Sequence, residues 1–245
     1  VNYNRDVEIF PVLKTMFTEI YGYSPYKSPT DMGVNMVGYC ISDNDIVEKA
    51  ARNEIIRRYY STLCAKRKGI ASNEEVYKIE LIMKQLSITA ADRPVIAKAL
   101  EKEEMTGLPA AALELPDGRM VTGKTSSLLG ASSALILNAI KALGGISDGL
   151  HLISPVIIEP IQDLKVNHLG NQNPRLHTDE LLVALSICAA TSPTAELAMQ
   201  QLQNLRGCEV HSTVILSQVD ENVFRKLGIN LTCEPKYQTQ KLYHK

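Results

Sequence analysis

The sequence lacks several features that mark specialised classes of protein. Its 245 residues contain no apolar run of about 18 or more residues and no basic-then-apolar leader, so we expect neither a membrane span nor a signal peptide. Lys plus Arg (26) nearly balance Asp plus Glu (27), and the formal net charge of −1 indicates no general affinity for nucleic acid or membrane surfaces. Internal repeats and low-complexity tracts are also lacking.

The cysteines form no disulfide framework. They are odd in number and widely spaced: Cys40, Cys64, Cys188, Cys208 and Cys233. This usage fits the reducing conditions of the cytosol, so we expect a cytoplasmic protein. The chain begins Val1-Asn2-Tyr3 without an initiator Met, which indicates a fragment or a processed product.

The first 106 residues are predicted to form a mainly helical subdomain. Apolar periodicity predicts helices over residues 1–22, 43–68, 72–86 and 92–105. Asp43 or Asp45 is the expected N-cap of the second helix, and Ser72 with Glu75 forms a capping box for the third. Residues 23–42 are rich in Pro, Gly and polar side chains, a composition typical of either a binding loop or a helix-capping loop.

After a boundary at Gly107 the pattern changes to alternating strands and helices. The central stretch, 108–145, is predicted to contain a strand, a Pro116-Asp-Gly118 turn, a second strand and a helix over 127–143 that is apolar nearly all round. Further strands are expected over 151–160, 210–216 and 229–233, with helices over 178–190, 195–206 and 220–227 and a loop over 163–177. Residues 107–245 are therefore predicted to form a three-layer α/β/α subdomain in a chain that is α+β overall.

A sequence in the central stretch matches the phosphate-loop pattern G-x-x-x-x-G-K-[ST]. It runs from Gly118 to Thr125. Arg-Met-Val-Thr between the glycines favours a strand, however, and Pro-Asp-Gly favours a hairpin. Three interpretations remain open: a nucleotide phosphate loop, a helix N-terminus at which Lys124, Thr125 and Ser126 bind some other anion, or simple helix capping.

A second polar cluster lies before and within the predicted strand at 210–216. Cys208 and His211 are three residues apart, with Ser212 and Thr213 beside them. They are candidates for a nucleophile–base pair or, with Cys233, for metal ligands, although this spacing does not require a metal. A buried thiol and a hydrogen-bonded core histidine explain the pattern equally well.

The order of hairpin, helices and strands resembles the layout of the cytidine-deaminase-like fold. The zinc site of those enzymes needs a His or Cys with a Glu two residues on, together with Pro-Cys-x-x-Cys. Neither signature occurs in this sequence. We therefore expect a deaminase-like arrangement without its metal site and without zinc-dependent deamination.

The chain as a whole resembles a bacterial family of uncharacterised proteins, called domain of unknown function 1846 or uncharacterised protein family 0371. The resemblance covers essentially all 245 residues and rests on Lys27–Asn35, Leu115–Gly118, Thr122–Lys124, His151–Pro155, Ala184–Thr191, Arg206–Cys208 and His211–Thr213. It implies helical and deaminase-like α/β subdomains. It also implies that this chain is the C-terminal half of a longer protein, whose upstream half carries a Rossmann-like portion and would act as its partner. The resemblance implies no activity, because none is assigned to the family.

From the residues we expect an enzyme that acts on a phosphorylated or nucleotide-like small molecule. His211 and Cys208 are the candidate catalytic residues, and the cofactor is unknown. The candidate anion-binding residues are Lys124, Thr125, Ser126, Ser212 and Thr213, and the candidate covering loop carries Lys27, Thr30, Asp31 and Asn35. The alternatives are a non-catalytic ligand-sensing or assembly module, since the apolar helices suit a homo-oligomer, and a phosphate-loop nucleotide-binding protein.

Overall fold

Residues 3–35 and 43–238 are described by the computed structural model of the chain, which has a mixed α/β structure. The chain divides into two compact units, Val1–Arg93 and Pro94–Lys245. This division lies ahead of the boundary expected at Gly107, because the helix that precedes Gly107 packs on the sheet of the second unit. None of the helices in the described residues is long and apolar enough to cross a membrane.

The first unit is helical, as its apolar periodicity predicts. Its elements are α1 (Tyr3–Tyr21), α2 (Pro29–Asn35), α3 (Asn44–Arg67), α4 (Asn73–Gln85) and a 3-10 turn (Ala90–Asp92). Phe10, Ile55 and Ile56 are almost completely buried and form part of its core. The expected caps are confirmed: the Asp43 carboxylate accepts hydrogen bonds at the start of α3, and Ser72 and Glu75 form the capping box of α4.

The stretch predicted as an irregular loop, 23–42, contains the short helix α2 in its described part. Pro29 occupies the first helical position, where its missing N–H costs nothing. The Ser28 hydroxyl accepts a hydrogen bond from the Asp31 N–H, and the Asp31 carboxylate accepts one from the Lys27 N–H. Ser28 and Asp31 therefore stabilise the start of this helix. Residues 36–42, including Cys40, lie outside the described residues.

The second unit contains a four-stranded sheet in the order β2-β1-β3-β4. Its strands are β1 (Ala110–Glu114), β2 (Met120–Lys124), β3 (Glu209–Ser212) and β4 (Asn230–Cys233). β1 is antiparallel to both β2 and β3, whereas β3 and β4 are parallel. The predicted hairpin is confirmed, and Gly118, with a φ of +82°, provides the left-handed residue that its turn requires.

Helices cover both faces of the sheet. On one face α6 (Ala131–Leu143) packs against the side chains of Ala111 and Leu113. On the other face α5 (Pro94–Thr106) lies over the alternate strand residues. The expected helix over 127–143 begins four residues late, because the Ser126 hydroxyl accepts hydrogen bonds from the N–H groups of Leu128 and Leu129 and holds this segment in a turn.

The remaining helices of the second unit are α7 (Pro155–Asp163), α8 (Thr178–Ala189), α9 (Pro193–Gln200) and α10 (Gln218–Lys226). The strand predicted over 151–160 is wrong, because Ser154 caps α7 and Pro155 occupies its first turn. Part of the predicted loop over 163–177 is a π-helical turn, Leu164–His168. Ser192-Pro193 separates α8 from α9 as expected, with the Ser192 hydroxyl capping α9.

Candidate functional site

Three strands of the sheet end at one edge, which we call the carboxyl edge. Since β1 runs antiparallel to both β2 and β3, those two strands share a direction, and β4 is parallel to β3. The chain leaves β2 towards α6 and leaves β3 towards α10, so both helices begin at this edge. The start of α8 lies there too, because residues 128–130 pair with Leu176. Ligands of α/β sheets commonly bind at such an edge.

A histidine–aspartate pair lies at the carboxyl edge. His177, the N-cap of α8, places its Nδ1 3.1 Å from Oδ2 of Asp220 in α10. The same carboxylate accepts hydrogen bonds from the Thr178 N–H (2.8 Å), the Thr178 hydroxyl (2.6 Å) and the Ser217 hydroxyl (2.8 Å). Asp220 is 5% exposed, whereas a quarter of the His177 side chain is exposed. The buried carboxylate therefore holds a ring whose outer part reaches solvent.

The protonation of the pair follows from these contacts. Burial by itself raises the pKa of Asp220, but the hydrogen bonds from His177 and Thr178 outweigh it and lower that pKa to about 2. The hydrogen bond to Asp220 raises the pKa of His177, and burial opposes this only in part. Asp220 is thus ionised near neutral pH, so Nδ1 of His177 must carry a proton and donate it. Nε2 makes no hydrogen bond within residues 3–35 and 43–238.

A buried lysine fixes the backbone that carries His177. Lys165, in the π-helical turn, is 3% exposed; its Nζ donates to the Arg175 carbonyl (2.7 Å) and to Glu180 Oε2 (2.6 Å). Glu180 Oε2 also accepts the His177 N–H at 2.8 Å. Lys165 therefore links the turn before α8 to its first helical turn, and it positions the imidazole through the backbone.

The phosphate-loop interpretation is wrong for this chain. Met120–Lys124 form β2 and pair with β1 along their whole length, so their N–H groups do not curl around an anion. Gly123 is explained by packing instead: a Cβ at this position would stand 2.3 Å from the backbone N of Leu135 in α6. Lys124 ends the strand with its side chain exposed, and Thr125 follows it with its side chain buried.

Cys208 and His211 do not form a pair. Cys208 belongs to the core beneath α6 together with Val210, whereas strand alternation places His211 on the opposite face. His211 is fully buried, with Nδ1 2.8 Å from the Thr232 hydroxyl and Nε2 3.2 Å from Glu234. Burial raises the pKa of the Cys208 thiol to about 11, with smaller contributions from nearby carboxylates, which disfavours the reactive thiolate.

Two further candidates, Ser212 and Thr213, make hydrogen bonds at the end of β3. The Ser212 hydroxyl donates to the Val214 carbonyl, and the Thr213 hydroxyl accepts the Ala110 N–H, which ties the end of β3 to β1. Lys27, Thr30 and Asp31 belong to the first unit, together with Asn35, whose side chain lies outside the described part of the chain. In the described ranges no three His, Cys, Asp or Glu side chains are grouped as a metal would require.

Sequence reasoning missed the His177–Asp220 pair. The only available signals were two helix starts: Thr178-Asp-Glu, and Ser217-Gln-Val-Asp220, which has capping-box spacing. Ser217 does cap α10 by accepting the Asp220 N–H. The side chain of Asp220, however, points back to a helix that starts 42 residues earlier, and nothing local in the sequence indicates that contact.

Comparisons with known proteins place the chain in a family. The model described as "Domain of unknown function DUF1846, C-terminal" matches residues 91–243, and the model of its N-terminal domain matches residues 1–87. The chain is 55% identical to a UPF0371 protein of Corynebacterium urealyticum over 244 residues, covering 100% of this chain and 49% of that protein. It is also 55% identical to a UPF0371 protein of Streptococcus uberis over 245 residues, covering 100% and 50%.

The chain therefore belongs to the DUF1846 family, as its motifs predicted. It spans about half the length of the curated relatives it matches. The expectation that it represents the C-terminal half alone is wrong, because its first 87 residues match the N-terminal domain of the family. The names of these relatives state no activity.

Proposed function

We propose that the carboxyl edge is the active site of an enzyme that transfers protons to or from a small-molecule substrate. His177 is the proton-transferring residue and Asp220 orients it. The main support for this proposal is the His177–Asp220 contact of 3.1 Å. Nδ1 is hydrogen-bonded to the carboxylate, and the outer part of the ring is exposed. A histidine held in this way presents one defined nitrogen, Nε2, to a ligand.

The electrostatics of the pair suit acid–base chemistry near neutral pH. Asp220 stabilises the imidazolium, so the raised pKa of His177 favours the protonated ring as a general acid. Once Nε2 has donated its proton, the ring is neutral. Nδ1 keeps its own proton in the hydrogen bond to Asp220, so Nε2 can accept a proton again. Ser217 does not complete a nucleophilic triad, because its hydroxyl lies 3.4 Å from Nδ1, the nitrogen that Asp220 already occupies.

The convergence of polar groups favours an enzyme over an assembly module. Three helices begin at the carboxyl edge, and an ionised carboxylate, an imidazole and two hydroxyls meet between α8 and α10. A module built only for oligomer contacts has no need of such a cluster. We also propose a deaminase-like layout, for the fold alone. It is supported by the hairpin, the parallel β3–β4 pair and the helix starts at one edge.

The test compares His177→Asn with His151→Asn, a matched change at an exposed histidine outside the site. Each protein is incubated with sets of phosphosugars, nucleotides and other small metabolites, and turnover is followed by NMR. We expect His177→Asn to lower turnover by about 10²- to 10⁴-fold and His151→Asn to leave it unchanged. A folded His177→Asn protein with wild-type turnover would refute the proposal.

A further inference from the structure

The first turn of α6 presents three free backbone donors at the carboxyl edge. Its N-cap is Gly130, which has no side chain to accept them. The N–H groups of Ala131, Ser132 and Ser133 make no hydrogen bond within the described residues, whereas the next one, from Ala134, donates to the Gly130 carbonyl. A helix of 13 residues concentrates partial positive charge at this end.

Two nearly buried residues at this helix start carry hydroxyls that have no partner within the described residues. Thr125 is 2% exposed and Ser132 is 3% exposed, and neither hydroxyl makes a hydrogen bond within the described part of the chain. Ser132 Oγ lies 3.8 Å from the point where a Cβ on Gly130 would stand, so it faces the start of the helix. Neither oxygen is completely shielded from solvent, so two unpaired hydroxyls of nearly buried residues are open to a polar ligand at one place.

The position of Thr125 follows from the packing of α6 on β2. Asn138 donates to the Thr122 carbonyl, and Ala131 lies over Gly123. The carboxyl end of β2 therefore lies nearer to the start of α6 than to its end. Strand alternation places Thr125 on the same side of the sheet as Gly123, the side that α6 covers. Its side chain therefore lies on the face of the sheet that α6 covers.

Positive charge and the proposed catalytic residue lie next to these donors. The Arg175 Nε donates to the Ser126 carbonyl at 2.7 Å, while its two other guanidinium nitrogens make no hydrogen bond within the described residues. The Leu176 carbonyl accepts the Ser133 hydroxyl at 2.9 Å, and the next residue in the chain is His177. The helix start and the imidazole thus flank one backbone segment.

We propose that the start of α6 binds the phosphate group of a phosphate monoester, which names the substrate class of the enzyme proposed above and rests on that proposal. The donors are the N–H groups of residues 131–133 and the hydroxyls of Thr125 and Ser132, with Arg175 balancing the dianion. Lys124 is not among these donors, because strand alternation places its side chain on the face of the sheet opposite to Gly123 and Thr125. The remainder of the substrate extends to Nε2 of His177.

The test uses inorganic phosphate as the probe and backbone amide NMR of residues 131–133 as the readout. Gly130→Asp is the sharpest variant, because a carboxylate at the N-cap would occupy the same N–H groups. The added Cβ has room, with its nearest neighbours at 3.8 and 3.9 Å. Gly130→Ala is the matched control, since it adds the Cβ without the carboxylate.

We expect phosphate to shift the three amides in wild type and in Gly130→Ala. In Gly130→Asp we expect binding to weaken at least about tenfold, and in Thr125→Val with Ser132→Ala about a hundredfold. Absence of phosphate shifts in the folded wild type, or undiminished binding in both variants, would overturn the proposal. Binding that survives in Gly130→Ala excludes a folding defect as the explanation.

The two proposals fail separately. His177→Asn should still bind inorganic phosphate at residues 131–133, since the imidazole is not one of the donors. If phosphate binds there and His177→Asn retains full turnover, the acid–base proposal fails and the phosphate site stands. If phosphate does not bind and His177→Asn loses turnover, the phosphate site fails alone.

Discussion

Replacing Asp220 by asparagine removes the negative charge on which four hydrogen bonds converge, from His177, Ser217 and twice from Thr178. The pKa of this carboxyl lies at about 2 instead of 3.8. A difference of this size makes the ionised form stabilise the fold by about 2 kcal/mol. Asparagine keeps the shape of the side chain, so the change tests the charge and not the volume.

The sign of the pH dependence follows from the direction of each pKa change. Because folding lowers the pKa of Asp220, its stabilisation is complete above pH 3.8 and is lost as the pH falls towards 2. Because folding raises the pKa of His177, its stabilisation is complete below about pH 6.5 and is lost as the pH rises through the value in the folded protein. The pair is therefore most stabilising between these limits.

The assay is urea unfolding at 25 °C over pH 2 to 8, compared between wild type and Asp220→Asn. We expect the variant to be about 2 kcal/mol less stable between pH 4 and 6, with the gap closing towards pH 2. Glu196→Gln, at an exposed position on α9, is the control and should show no such gap. A gap that stays constant down to pH 2 would refute the linkage between this carboxylate and stability.

Three further changes have defined outcomes. Gly123→Ala should destabilise the second unit by about 3 kcal/mol or more, measured by thermal unfolding, because the new Cβ would meet the Leu135 backbone. Lys165→Met should cost about 3 kcal/mol and weaken catalysis, since it leaves Glu180 without its buried partner. Cys208, with a pKa of about 11, should react with iodoacetamide at pH 8 about a hundredfold more slowly than an ordinary thiol.

Each of these changes has its own control. Gly149→Ala adds a Cβ that meets only a serine hydroxyl, at 3.9 Å, and should be nearly neutral. Exposed Lys124→Met should leave the melting temperature almost unchanged. Cys208 should gain reactivity in urea, when burial is lost. Three results would contradict the structural reasoning. They are equal losses of stability in Gly123→Ala and Gly149→Ala, no loss of stability in Lys165→Met, and rapid labelling of Cys208 in the folded protein.

Features that depend on near neighbours in the sequence were predictable. The Asp43 cap, the Ser72–Glu75 capping box and the hairpin turn at Gly118 each involve residues within a few positions of one another. The turn that delays α6 was missed, because Ser126 could equally well cap a helix directly. The segment 151–160 was misassigned because its apolar residues suit a strand, while Pro155 suits the first turn of a helix.

The candidate site was predictable only as a region. Lys124 to Ser126 were correctly placed ahead of a helix, but the sequence offered no reason to consider His177 beside His211. His211 lies in a strand beside polar residues, whereas the partner of His177 is Asp220, in another helix. Long-range contacts of this kind depend on the order of the strands, which composition and periodicity do not determine.

The Asp220 carboxylate has a further consequence, for how the folded chain opens. It ties the start of α8 to the start of α10 across 42 residues, so neither helix end can fray alone without breaking a charged contact. The two ends should therefore open together in one local unfolding event. In native-state hydrogen exchange, the Thr178 and Asp220 amides should share one opening free energy, and acid should lower it for both at once.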